Sequence, residues 1–184
     1  MKKLSTLFLL FLLTGLFFNT TLAANNEIKD LSLDELFSSL KIEKDENKAR
    51  KLENQIWLSW LSAENDEIDG LMNDAIYFRR EYNLTSAIDS LNEVIAKAPN
   101  YAEAWNQRAI AYFYQGELDL ALTDIKKTLE LEPRHFGAMA GRAVIHLKLD
   151  QPDLAKASIV EALKIHPFLP ERTLFPELYN QSNI

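Results

Sequence analysis

The 184-residue chain contains no cysteine, five glycines, six prolines and three histidines. The missing cysteine excludes a disulfide framework, a thiolate metal site and a cysteine nucleophile. Its glycines are too few and too scattered to build the phosphate-cradling loops of nucleotide-binding proteins. Basic residues are also outnumbered, 20 Lys and Arg against 27 Asp and Glu, for a net charge of -7. Nucleic-acid recognition needs a basic surface, so nucleic acid is not an expected partner. His135, His146 and His166 lie 11 and 20 residues apart and match no zinc spacing. No nucleophile, base and orienting group can be assembled around them, so the expectation is a non-enzyme without cofactor or metal.

What the sequence does have begins with an address. Lys2 and Lys3 precede an apolar run from Leu4 to Phe18, followed by Asn19-Thr20-Thr21-Leu22-Ala23. This is the pattern of a secretory leader over residues 1–23, with cleavage expected after Ala23. The apolar run of about 15 residues falls short of the roughly 20 that a spanning helix requires, so no stable membrane insertion is expected after cleavage. Loss of Lys2 and Lys3 takes the net charge from -7 to -9. Export into an oxidising space also accounts for the absent cysteines.

The rest of the chain is periodic. Pro99, Pro133 and Pro167 are spaced by 34, as are Ala75, Ala109 and Ala143, Ala87, Ala121 and Ala155, and Leu91, Ile125 and Ile159. Three equal units follow, 68–101, 102–135 and 136–169. In the middle unit Trp105, Ala109, Tyr112 and Phe113 share one helix face. Gly116 then breaks the chain, and Leu118, Ala121, Leu122, Ile125 and Leu129 mark a second face before Pro133 stops it. Each unit is a helix hairpin with one-sided apolar faces that a neighbouring hairpin must cover, which makes the fold all-α.

The middle unit, Ala-Glu-Ala-Trp105-Asn-Gln-Arg-Ala109-Ile-Ala-Tyr112 followed by Gly116, Ala121, Ile125, Leu129 and Pro133, resembles the tetratricopeptide repeat almost position for position. The outer units depart from that pattern: Leu71 and Met139 replace the tryptophan, Phe78 and His146 the tyrosine, and Tyr82 and Asp150 the turn glycine. The resemblance implies a right-handed solenoid of helical hairpins that binds another protein or peptide in its concave face. The whole chain also resembles exported alphaproteobacterial tetratricopeptide-repeat proteins, which implies a periplasmic address and adds no mechanism.

Residues 24–67 do not fit a fourth repeat. They still read as a helix pair, with Leu33, Leu36, Phe37 and Leu40 on one face and Ala49, Leu52, Ile56, Trp60 and Ala63 on the other, Trp57 widening it. Solenoid ends are atypical because they must be polar outward, so this pair is expected to cap the first unit. In residues 170–184, Pro170 and Pro176 permit only short helical turns, and Tyr179 to Ile184 is expected to fray.

In the resembling family the first helices line the concave groove. Translation by 34 gives the columns Met72/Asn106/Ala140, Ile76/Ile110/Val144, Arg79/Phe113/Leu147 and Arg80/Tyr114/Lys148. The candidate partner-binding residues are therefore Met72, Ile76, Arg79, Arg80, Asn106, Ile110, Phe113, Tyr114, Val144, Leu147 and Lys148, an apolar centre with a basic and aromatic edge. The chain's own termini could cover that surface instead. A further column, Asp74/Arg108/Arg142, predicts an Asp74–Arg108 pair between units. Gly137 and Gly141 leave the third unit without the polar side chains of a chaperone-tail clamp. The leading expectation is a periplasmic adaptor or scaffold holding a partner segment. The alternative is a self-assembling module whose groove or solenoid end forms a homo-oligomer. An accessory to an envelope hydrolase ranks below both.

Overall fold

The computed structural model describes residues 31–179, and all regular structure among them is helical. The expected leader, its cleavage site and the expected fraying beyond Tyr179 lie outside the described residues. Helices α1 (Leu33–Ile42) and α2 (Glu46–Trp60) form an N-terminal hairpin. Three further pairs follow: α3 (Asp66–Arg80) with α4 (Leu84–Lys97), α5 (Ala102–Gln115) with α6 (Leu118–Leu131), and α7 (Phe136–Lys148) with α8 (Pro152–Leu163). A 3-10 turn (Pro170–Leu174) and the short α9 (Pro176–Tyr179) complete the described chain.

Local chemistry sets most of these ends. Ser32 and Glu35 close a reciprocal capping box at α1, while Asp45 and Asn65 cap α2 and α3 through their side-chain oxygens. Because Asn65 accepts from the amides of Glu67 and Ile68, α3 starts slightly ahead of the first unit's expected boundary. Asp66, Glu67 and Asp69 place negative charge at that positive helix end. The turns within the three units are equivalent in geometry although not in residue. Tyr82, Gly116 and Asp150, one period apart, sit at φ of 60°, 89° and 59°. Only glycine adopts that left-handed conformation without steric cost, so the turn imposes it on Tyr82 and Asp150.

The repeated alanines Ala75, Ala109, Ala143, Ala87, Ala121 and Ala155 are all buried, as close helix contact requires. The first unit has a core of Met72, Ala75, Leu91, Val94 and Ile95, closed by Ala104 of the second unit. The N-terminal hairpin contributes no residue to it. Leu36, Phe37, Leu40, Ala49, Leu52, Ile56 and Trp60 instead share a core with Phe136, Met139, Ala140, Ala143, Ala155, Ile159 and Ala162 of the third unit and with Leu169, Phe175 and Leu178 of the tail. This corrects the expectation that the hairpin caps the first unit. The physical reason lies at Gly137: Trp57 occupies the space above it, so that a Cβ there would come within 2.6 Å of the indole. Small residues on α7 make room for the hairpin, and the first unit offers no matching recess.

The Asp74–Arg108 pair is a second correction. Arg108 forms a two-pronged ion pair with Asp124 of its own unit, at 2.7 and 2.8 Å, and reaches Asn92 of the first unit with its remaining nitrogen. Arg142 repeats this arrangement by bonding Ser158 and Glu161 of its own unit. The arginine column ties first helix to second helix and leaves the neighbouring Asp74 uninvolved.

Candidate functional site

The expected groove residues separate into three groups. Met72 is 1% exposed within the first unit's core, and Asn106 is 2% exposed, so neither presents a surface. Asn106 is committed to Glu103, whose carboxylate also accepts from Gln107 at 2.6 Å. His135 completes this buried network. Its Nδ1 accepts from the amide of Ala138, capping α7, which leaves Nε2 to donate to Glu103 over 2.8 Å. Trp60 of the hairpin stacks on the same imidazole with centroids 4.0 Å apart and planes at 6°. The network pins the second unit to the third beneath the hairpin.

A second group is covered by the chain itself. Ile110 and Val144 are adjacent, as translation by 34 predicts, and are 8% and 4% exposed. Phe113, Tyr114 and Leu174 pack on them, and Leu174 reaches them from the end of the 3-10 turn. Leu147 packs against the core shared with the hairpin. Thus part of the expected apolar centre is already filled from the C-terminal side, as the sequence allowed. Behind it, a void of only about 10 Å³ lined by Asn106, Ile110, Phe113 and Gly141 leaves no room for a ligand.

The third group is less buried. Arg80 and Lys148 are exposed, while Ile76, Arg79, Phe113 and Tyr114 are half-buried. Lys148 places its ammonium 4.8 Å from the centre of the Phe113 ring. Tyr82, absent from the expected set, is 68% exposed and meets Tyr114 edge-on at 5.9 Å. Burial of the Arg79 guanidinium, opposed by nearby Tyr114 and Glu103, lowers its proton affinity. Burial pushes the Tyr114 phenol up to about 12, so it is a neutral hydrogen-bonding group at physiological pH. The open site is thus a basic and aromatic rim from α3, α5 and α7 around a half-covered apolar floor. Tyr82 could have been found from the sequence, since it stands in the turn-glycine column, where a bulky residue needs a reason.

Among the described residues no group of three His, Asp or Glu side chains is placed to hold a metal ion, and no helix is long and apolar enough to cross a membrane. An open cleft of about 410 Å³ between α1 and the end of α8 is lined by Phe37, Lys41, Arg134 and Lys164. Its arginine is already occupied by Asp34 and Glu132.

The tetratricopeptide repeat family model matches residues 102–135, the middle unit. A TPR repeat-containing protein of Rhizobium etli is 39% identical over 135 residues, which cover 73% of this chain and 66% of that protein. Hsp70-Hsp90 organizing protein 3 of Arabidopsis thaliana is 29% identical over 90 residues, covering 49% of this chain and 16% of that protein. Among solved structures, a MamA mutant matches with a TM-score of 0.47 at 18% identity, over 82% of this chain and 92% of that one. The chain therefore spans less than two thirds of the length of these curated relatives. With a period of 34 built as stacked helix pairs, a family match on the middle unit and a relative at 39% identity, the chain belongs to the tetratricopeptide-repeat proteins, a family that mediates protein–protein interaction.

Proposed function

We propose that this protein is a non-enzymatic periplasmic adaptor that holds an acidic partner segment against the open part of its groove. The observation that carries the reading is the rim itself. On a chain of net charge -7, Lys148 sits over the Phe113 ring, Arg79 lies near Tyr114, exposed Arg80 follows on the same helix, and Tyr114 joins Phe113 to Tyr82 edge-on. Aromatic rings supply contact area at small entropic cost, and the cations steer a segment of opposite charge. The strained backbone of Tyr82 supports the same reading, because a glycine there would relieve the strain and lose the ring. The adaptor role also draws on the relative whose name describes an organizing protein.

Photo-cross-linking from position 82 in the intact envelope tests the proposal. The expected result is a discrete adduct that disappears when Arg80 and Lys148 are both replaced by Glu and weakens with added salt. An adduct indifferent to both changes removes the rim from the binding surface. The address is part of the proposal and rests on the leader over 1–23. The exported protein should begin at Ala24, which N-terminal sequencing decides.

Self-assembly is a second reading with its own observation. Leu120 and Leu154, one period apart on α6 and α8, are 46% and 52% exposed. Mass measurement in solution distinguishes a monomeric adaptor from an oligomer built on that stripe.

A further inference from the structure

The tail does more than end the solenoid, and the role assigned to it rests on the groove being a binding surface. Its apolar residues reach two destinations. Leu174 bridges both, packing on Ile110 and Val144 in the groove and against the core shared by the hairpin and the third unit, which Phe175 and Leu178 enter. Between groove and hairpin lies a buried ionisable cluster. Glu171 is 6% exposed, Glu53 of α2 is 7% exposed and His166 is fully buried, with its Nε2 3.2 Å from a Glu53 oxygen. Two acids with one imidazole in a dry seam form an arrangement whose charge state matters to whatever it holds together.

We propose that Pro170–Leu174 is the resident occupant of the groove, a proton-held stand-in for the partner segment, and that loss of the Glu171 proton releases it. Every charged group near the seam bears on this. From α2 come Glu53 and Glu46; from the turn after α8, His166; from the tail itself, Arg172. The guanidinium of Arg172 donates to the Pro167 carbonyl at 2.9 Å and lies 3.8 Å from Glu46. Farther along, Lys156 and Glu177 neutralise one another at 2.8 Å. A charged Glu171 would therefore add a second negative charge beside Glu53 where little water can screen it. Burial pushes its carboxyl up to about 7, with its own backbone amide opposing the shift and Glu53 adding to it. Once released, the segment returns to the ordinary carboxylate range, so docking must weaken as pH rises through neutrality.

The seated tail also specifies the partner. A segment that competes with it should present a branched aliphatic side chain to Ile110 and Val144, carried on a proline-initiated turn as in Pro170-Glu-Arg-Thr-Leu174.

Hydrogen exchange on the unaltered full-length protein tests the latch. Corrected for intrinsic rates, residues 170–179 should lose about tenfold of their protection between pH 6 and pH 8, while α4 stays unchanged. Glu171→Gln should remove that response. Equal protection at both pH values overturns the proposal, and so does a response that persists in Glu171→Gln, because it would assign the switch to His166. A synthetic peptide spanning residues 168–179 and carrying Glu171→Gln, so that its own docking does not titrate, tests the groove separately. It should bind the full-length protein about tenfold more tightly at pH 8 than at pH 6, and bind Leu174→Ser at both. If the tail shows its pH response and the peptide binds neither protein, the latch stands without a receptive groove, and both the stand-in role and the groove reading fail. If the peptide binds equally at both pH values, the groove stands and the latch falls.

Discussion

The first and third units share a period and a fold, but they keep different company. Helix α3 buries only Met72 and Ala75, whereas α7 buries every position from Phe136 to Ile145 except Arg142. A helix buried on nearly all sides must be covered on both faces. Here α8 supplies one cover, and the hairpin with the tail supplies the other. The aligned residues show how this is encoded: Asp69, Met72 and Asn73 in the first unit correspond to Gly137, Ala140 and Gly141 in the third. Small residues on the concave side of α7 leave a seat for Trp57 and Trp60, and larger ones on α3 keep that end available. Among the described residues, one end of the solenoid is thus committed to the protein's own chain, while α3 at the other end keeps most of its side chains outside the core.

The comparison breaks most directly at Trp60. This indole is 6% exposed, stacks on His135 and contacts Phe37, Trp57 and Phe136. Trp60→Ala should cost about 3–5 kcal/mol, the usual range for a large aromatic lost from a core. Denaturant titration gives the size of the loss. Segment-resolved hydrogen exchange should place it in residues 33–60 and 164–179 while 84–97 keeps its protection. Uniform loss across the chain would mean that the two ends form one cooperative unit.

The second effect depends on pH and belongs to the committed end alone. The folded carboxyl of Glu171, at about 7, lies above its ordinary value of 4.5, so the native state holds a proton that the unfolded chain releases. Its contribution to stability is complete below about pH 4.5, declines as pH rises toward 7 and is absent above. The full change is about 3 kcal/mol for this buried group. Glu171→Gln should flatten the curve and make the variant more stable than the parent at pH 8, which thermal melts across that range will read.

Much of this architecture is legible in the amino-acid sequence alone. Thirty-four-residue spacing, repeated alanines and helix-stopping prolines are local signals that recur three times, so the three helix pairs follow from pattern. The seat of the hairpin is not legible in that way, because amphipathic spacing in residues 33–60 says that a face is buried and is silent on what buries it. Its signal is nevertheless present in Gly137 and Gly141, which in the sequence mark only a missing clamp and in the fold form a recess. The Glu103–His135 and Glu53–His166 approaches span too many residues for periodicity to reveal. The open rim is half visible: Arg80, Phe113, Tyr114 and Lys148 follow from the repeat columns, while Tyr82 enters only through its turn geometry.

Gly137→Ala sharpens the comparison more gently. A Cβ at this position would lie 2.6 and 2.9 Å from two atoms of the Trp57 ring, and an indole cannot yield as a flexible chain end can. Overpacking of this kind costs about 1–3 kcal/mol, partly offset by the roughly 1 kcal/mol that alanine gains over glycine inside a helix. Local protection of residues 46–60 should fall even if the melting temperature barely moves. Gly70→Ala, on α3 with nothing within 4 Å of its added carbon, should only stabilise. If both variants behave alike, Trp57 is not seated where the structure puts it.

The smallest expected effect concerns the open end, and its sign carries the information. Tyr82 sits at φ 60° in the turn after α3, where any side chain with a Cβ meets the following carbonyl oxygen. Tyr82→Gly and Tyr82→Ala both remove the edge contact with Tyr114, so comparing the two cancels that loss. What remains is the backbone. Alanine keeps the left-handed strain, whereas glycine relieves it and gives back part of the gain as unfolded-state entropy. Glycine should therefore be the more stable by about 1 kcal/mol, the reverse of their order in a helix interior. Both variants should capture the partner equally poorly, since the ring is absent from each. A glycine variant more stable than alanine and equally deficient in capture would separate the two roles of this position, the turn's demand on the backbone and the rim's demand on the ring. Full capture by either variant would leave the strain at Tyr82 without a binding role.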